Sequence, residues 1–209
     1  MDTPSKEDLQ QVLQYISDLI DEHGKERKEN IEKVFERIGE HFATAPASSK
    51  LQYHNAFAGG LMLHTYDVVK TMYELNNPVY GCDEESILIT GLFHDLGKIG
   101  GFNEDLSEII PMYTPIDNSN WRYKNGDRYI YNENLDDYLT HSLRSIRLLT
   151  QMNFPLTNDE FVSIFSHDGY FEEQNRSFTL MRCPYRLLKL LQASDQICTI
   201  TEKNDWYEK

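Results

Sequence analysis

The sequence predicts an all-α bundle of helices with one small β-hairpin inserted in it. Three observations lead there. Apolar residues recur at spacings of three and four along most of the chain. One segment is apolar on nearly every side, as a central helix is. A single Asn-Gly pair stands between two alternating aromatic stretches, the mark of a tight hairpin.

Taken in order, Leu9, Val12, Leu13, Ile16, Leu19 and Ile20 line one face of a helix over 5–23, with Ser5 and Asp8 spaced to cap it. A second amphipathic helix runs over about 25–42 through Ile31, Val34, Phe35 and Ile38. The loop 43–60 leads to an apolar helix at about 61–75, which Asn76-Asn77-Pro78 ends. Residues 84–96 form the helix that is apolar all round, through Ile87, Leu88, Ile89, Leu92 and Phe93. The rhythm breaks over 99–134. There Asn125-Gly126, between Trp121 and Tyr131, predicts a hairpin at about 120–132 with a type I′ turn. Helices resume at about 135–152, 158–166 and 184–201. Residues 1–45 thus read as a helical extension packed on a single domain of residues 46–209, and their two amphipathic helices also offer a contact for a homo-oligomer.

Of the 209 residues, 40% are hydrophobic and 26% charged, as in an ordinary folded domain, and no Pro- or Gly-rich linker divides them. No apolar run reaches the roughly 18 to 20 residues that cross a bilayer, and the opening residues lack the order of a signal peptide. The expectation is a cytoplasmic protein without a membrane partner. Cys82, Cys183 and Cys198 share no CxxC spacing and read as reduced packing residues. The net charge of −14, from 34 acidic and 20 basic residues, disfavours a polynucleotide partner. A metal centre with a few local cations still captures a small phosphorylated ligand.

His64 falls in the third predicted helix, His94-Asp95 at the end of the most buried one, and Asp195 in the last. Buried carboxylates are costly unless paired or bound to a cation, yet Asp95 and Asp195 are embedded in apolar sequence. Two such aspartates with two helix-borne histidines make a nitrogen and oxygen donor set suited to Mn, Fe, Co, Ni or Zn, with Mg also allowed. Adjacent helical residues diverge by about 100°. His94 and Asp95 therefore share a metal only where the helix end distorts, and Gly97 suits such an ending.

The ordered set His64 in Gly59-Gly60-Leu61-Met62-Leu63-His64-Thr65, then Leu92-Phe93-His94-Asp95-Leu96-Gly97-Lys98, then Ala193-Ser194-Asp195 resembles the H…HD…D pattern of the HD-domain metal-dependent phosphohydrolases. The resemblance spans roughly two-thirds of the chain, from Tyr53 to Cys198. It implies an HD-type helical bundle in which His64, His94, Asp95 and Asp195 hold a divalent metal. His141 in Thr140-His141-Ser142-Leu143 and His167 in Ser166-His167-Asp168-Gly169-Tyr170 resemble the extra histidines of two-metal members, including YhaM-type proteins, and imply a second ion bridged by Asp95. Some such members carry His-His where this chain has His167-Asp168, which leaves Asp168 a ligand, an orienter of one, or neither. YhaM-type proteins also carry an oligonucleotide-binding barrel, and the helical, short stretch 1–43 does not read as one.

Such a site activates water, which makes His94, Asp95 and Lys98 the catalytic candidates. Lys98 reads as a phosphate contact, as the resemblance also implies, or as a solvated lysine balancing the helix end. Arg144, three residues after His141 and on nearly the same face, reads as a phosphate contact or a surface residue. Arg122, Lys124 and Arg128, interleaved with Trp121, Tyr123, Tyr129 and Tyr131, read as a lid that stacks a base and meets phosphates, or as a surface hairpin. His54, ten residues before His64, reads as a structural loop residue or as one that enters the pocket, and His23 and His41 read as surface residues. The expected function is hydrolysis of a phosphoester or phosphoanhydride in a small phosphorylated substrate, best a nucleotide. The alternatives are a 3′-5′ exonuclease on single strands and a non-catalytic, metal- or ligand-binding regulatory module.

Overall fold

Ser5 opens the first helix with a reciprocal cap: its hydroxyl accepts from the Asp8 amide at 3.1 Å, and the Asp8 carboxylate accepts from the Ser5 amide at 2.9 Å. The computed structural model describes residues 4–76, 81–135, 137–169, 173–175 and 185–202. Helix α1, Lys6–His23, buries Val12, Ile16 and Ile20 at a spacing of four. A short 3₁₀ turn, Lys25–Arg27, leads into α2, Lys28–Thr44, which buries Ile31, Val34, Ile38 and Phe42. Both pack on α3, Gly60–Leu75, and their buried residues join the main hydrophobic core instead of forming a separate one.

Helix α4, Glu84–Phe93, is capped by Asp83, whose carboxylate accepts from the Ser86 amide, and every residue from Ile87 to Phe93 is buried. It contacts α1, α3, α7 (Asn158–Ser166) and the last helix, α8 (Arg186–Thr201), as a central element must. Helix α3 is shared between two cores: Leu61, Met62 and Val69 face the main one, while Val68 and Met72 meet Leu187, Leu190 and Leu191 of α8. Asn76 caps α3, as expected from the Asn-Asn-Pro stop, of which Asn77 and Pro78 lie outside the described residues, as does Cys183. Cys198 is buried beside Thr71 and Met152 packs against the core, both in packing roles.

Between α4 and α6 (His141–Gln151) lies the β insertion. Strand β1, Gly101–Phe102, pairs antiparallel with β2, Ile109–Ile110; β3, Tyr113–Pro115, pairs antiparallel with β4, Tyr129–Tyr131. The small β element is present, but its register differs from the hairpin expected at 120–132. Asn120 caps a single helical turn, α5 (Trp121–Lys124), by accepting from the Arg122 amide, and Asn125-Gly126 ends it with Gly126 at φ +96°. The Asn-Gly pair therefore stops a helical turn, and the strand after it pairs further back in the chain.

Helix α6 also starts later than the expected residue 135, because Thr140 caps it by accepting from the Leu143 amide. The described residues just before it, Asp137 to Thr140, are not helical, with Tyr138 at φ +46°, and they deliver Asp137 to Arg144. Helix α7 has its own reciprocal cap, Thr157 with Glu160. Among the described residues, no helix is long and apolar enough to cross a membrane.

Candidate metal centre

Five helices bring the histidines and aspartates together. His64 lies in the second turn of α3, and Asp195 lies in the middle of α8, which packs along α3. His94 caps the C-terminus of α4; Asp95 then leaves the helix at φ −102°, ψ 8° and a 3₁₀ turn, Leu96–Ile99, follows. That distortion lets two neighbours in sequence face one site. His141 is the first residue of α6 and His167 caps the end of α7.

Gly97 makes the meeting of the α4 corner with α6 possible. A Cβ there would lie 2.0 Å from the carbonyl oxygen of His141, so any other residue would push the two apart. Ser145 of α6 holds the contact: its hydroxyl accepts from the Gly97 amide at 2.7 Å and lies 3.0 Å from the carbonyls of both His94 and His141.

The buried Asp95 carboxylate stands between two groups. Its Oδ2 is 3.6 Å from both His64 Nε2 and His94 Nε2, and His64 Nε2 is 3.2 Å from Asp195 Oδ1. Its Oδ1 is 3.1 Å from His141 Nε2 and 3.5 Å from His167 Nε2, and His141 Nε2 is also 3.1 Å from Asp168 Oδ2. Within the sets His64–His94–Asp195, His94–Asp95–His167 and His141–His167–Asp168, candidate donor atoms lie within 4.8 Å of one another, close enough for each set to hold a metal ion.

Two rings have their tautomer set by the backbone. His94 Nδ1 lies 2.8 Å from the Gly91 carbonyl and His167 Nδ1 lies 2.7 Å from that of Ile164, each three residues back at a helix end. A carbonyl only accepts, so each Nδ1 carries hydrogen and Nε2 faces inward, where its lone pair serves a metal once the ring is neutral. His64 Nδ1 faces Glu202 at 3.0 Å in the same way. Yet His64 Nε2, His94 Nε2, Asp95 Oδ1 and Asp168 Oδ2 are buried without a well-aligned hydrogen bond. Buried orphans of this kind cost about 1–3 kcal/mol each. Four of them converging with lone pairs inward fit a cation.

The charges are strongly coupled. Burial holds His94 down to about 4. Burial also opposes charge on His64 and His167, but hydrogen bonds and charge from Asp195 and Glu202 lift His64 to about 10, and Asp168 and Asp95 lift His167 to about 9. Desolvation would raise Asp168, but His167 and His141 hold it at about 2. Against the same desolvation, Lys98 and the histidines keep Asp95 well below the usual carboxylate range, and His64 does the same for Asp195.

Lys98 is nearly buried and its ammonium rests on Asp95 Oδ2, so it is not the solvated lysine at a helix end. Arg144 requires a correction. It is fully buried, grips Asp137 with two bonds of 2.7 Å, and donates to the carbonyls of Gly97 and Leu139 and toward the Tyr131 hydroxyl. With its donors so committed, it braces the corner and the insertion and is withdrawn as a phosphate contact. Arg122 pairs with Asp127, Arg128 lies over the Tyr123 ring and bonds its carbonyl, and Lys124 is exposed. These three cations serve the tip of the insertion.

Sequence reasoning passed over Glu202 and favoured a loop role for His54. Glu202 bonds both His64 and Asn55, yet it stands just beyond the expected end of the last helix. A signal was present: it follows Asp195 by seven residues, two helical turns along the same face. His54, read as a loop residue, has its ring 4.6 Å from that of His64 and its Nε2 buried without a partner, and it forms a further candidate donor set with His64 and Glu202. Comparison of the chain with protein-family models, with curated proteins and with solved structures finds no match.

Proposed function

We propose that the chain is a metal-dependent phosphohydrolase of the HD type, acting on a small phosphorylated substrate and best on a nucleotide. The observation that carries this reading is the Asp95 carboxylate, whose Oδ2 faces His64 Nε2 and His94 Nε2, both left without hydrogen-bond partners, and whose Oδ1 faces His141 Nε2 and His167 Nε2, which lie 3.4 Å apart. His64, His94, Asp95 and Asp195 would hold one ion; Asp95, His141, His167 and Asp168 would hold a second. When bound, a divalent cation such as Mn, Fe, Co, Ni or Zn supplies Lewis acidity, makes water nucleophilic near neutral pH and neutralises charge on phosphate.

The chain's own groups do the rest. Gly91 and Ile164 carbonyls and the Glu202 carboxylate keep three imidazoles in the orientation that points Nε2 inward. Lys98 offers its ammonium to a phosphate oxygen in place of Asp95. Water adds its oxygen to phosphorus, the bond from phosphorus to the leaving oxygen breaks, and the water's proton ends on the leaving group or in solvent. Among the described residues no cysteine joins these donor sets as a rival nucleophile, and the nearby Ser145 hydroxyl is committed to the backbone of Gly97, His94 and His141.

The test is release of phosphate or nucleoside from nucleoside mono- and triphosphates, cyclic dinucleotides and short single strands, with Mn²⁺, Co²⁺, Ni²⁺ and Mg²⁺ supplied separately. Turnover that Asp95→Ala abolishes supports the reading and names the substrate class. Metal bound at the site with no turnover across the panel overturns it in favour of a regulatory module.

A further inference from the structure

Beside Lys98 a cleft of about 270 Å³ opens between the β3–β4 arm and the end of α2. Tyr113, Pro115 and Tyr129 form its wall on the arm, Thr44 and Pro46 face them, and Lys98 lines it as well. The strand register explains the wall. Tyr113 pairs with Tyr131 and Pro115 with Tyr129, so all four project from one face of the arm, while Thr114 and Ile130 project from the other. The first face is turned to the body, since Tyr131 receives Arg144 and Tyr113 is half-buried near Lys98.

The chemistry of the lining is unusual for this chain. The protein carries 34 acidic residues, yet none of the described residues lining this cleft is a carboxylate. Its walls are tyrosine, proline and aliphatic surface with the His41 ring and the Lys98 side chain among them, which suits an uncharged planar ring tethered to an anion. The volume lies just under the roughly 300–1,000 Å³ of pockets that enclose a whole small ligand. It accommodates a single ring system.

We propose that this cleft seats the base of a nucleoside 5′-phosphate whose phosphate lies at Lys98, an inference that rests on the phosphohydrolase reading above. The base lies against the Tyr129 and Tyr113 rings, which stack on any planar heterocycle. The sugar spans from there to Lys98. Of the residues expected of a lid the arm thus uses Tyr129, joined by Tyr113, and not Trp121, Arg122, Lys124 or Arg128.

Calorimetric titration of the four common nucleoside 5′-monophosphates and of ribose 5-phosphate tests this without relying on turnover. At least one nucleotide is expected to bind 10-fold or more tightly than ribose 5-phosphate. Tyr129→Ala, and Thr44→Trp, which fills the cleft from an exposed position, are expected to weaken nucleotide binding about 5- to 100-fold. Tyr129→Phe should stay within about threefold of the parent, and ribose 5-phosphate should bind all four proteins alike. A nucleotide that binds no better than ribose 5-phosphate, or that binds better but ignores both Tyr129→Ala and Thr44→Trp, overturns the proposal. Turnover dependent on Asp95 with either result would leave the hydrolase standing and the cleft refuted. The expected binding pattern without any turnover would refute the hydrolase and leave the cleft standing.

Discussion

Helix α4 carries a buried polar cluster at each end, and the two are built on opposite principles. At its start, Arg27 donates to Glu160 with bonds of 2.7 and 2.8 Å and to Glu85 at 2.9 Å, while the Ser86 hydroxyl donates to Glu160 at 2.8 Å. Every charge there faces an opposite charge. At its end, ten residues on, His94 Nε2 and Asp95 Oδ1 are buried without aligned partners. Burial alone therefore does not separate scaffold from site in this molecule. Satisfaction does: the first cluster is complete within the protein, and the second leaves donor atoms that only something from outside can use.

The largest difference between the two ends should be in chemistry. Asp95→Ala is expected to lower turnover on the order of 10³-fold or more, since charge stabilisation at such a site is worth several kcal/mol and each 1.4 kcal/mol is tenfold. The same substitution takes the carboxylate from the nearly buried Lys98 ammonium, so the melting temperature of the metal-free protein should fall, though less than in Arg27→Met, because Asp195 and Asp168 still face the neighbouring histidines. A large loss of stability without metal would erase the contrast. Arg27→Met is expected to do the reverse, costing about 3–5 kcal/mol in urea unfolding by leaving Glu160 and Glu85 buried and unpaired, with metal content unchanged. A cost below about 1 kcal/mol would show that the first cluster is not the brace described.

Glu202→Gln sharpens the contrast from within the site. It keeps the size of the side chain but weakens the hold on His64 Nδ1, and is expected to lower metal affinity about 10- to 100-fold by metal titration while leaving unfolding nearly unaltered. Unchanged affinity would remove Glu202 from the centre. The smallest effect is with pH. Burial would raise Glu160, but the bonds from Arg27, Thr157 and Ser86 hold its carboxyl below the ordinary value. A carboxylate depressed in the folded state contributes stability above its unfolded value, near 4.3, and loses it as pH falls through its folded one. The unfolding free energy of the metal-free protein should therefore fall between about pH 5 and 3, and fall less steeply in Glu160→Gln.

How far the molecule could be read from its residues follows the range of the interactions involved. The helices were legible because their apolar spacing and caps are local: Ser5 with Asp8 marks the start of α1, and α7 falls on the expected 158–166. The β insertion was misread because an Asn-Gly pair serves equally to turn a hairpin and to end a helix, and the choice depends on Tyr113–Pro115, a distant partner of three residues ending in proline. Arg144 was misplaced for the same reason, since Asp137 reads as part of a helix but lies in a turn before the Thr140 cap. Asp95 and Asp195 were legible because charge in an apolar helix is conspicuous, His141 and His167 only through the resemblance to two-metal proteins, and all six proposed ligands do converge. Glu202 was passed over because only its tertiary contact with His64 marks it.

The bond between His64 and Glu202 spans 138 residues of chain. During synthesis at about 5–20 residues per second, His64 leaves the ribosome roughly 7 to 28 seconds before the carboxylate that fixes its ring. Over that interval the histidines of α3, α4, α6 and α7 emerge one after another without the residue that completes their arrangement. The centre is thus a late product of biosynthesis, and a chain cut short before α8 would lack both Asp195 and the carboxylate that orients His64.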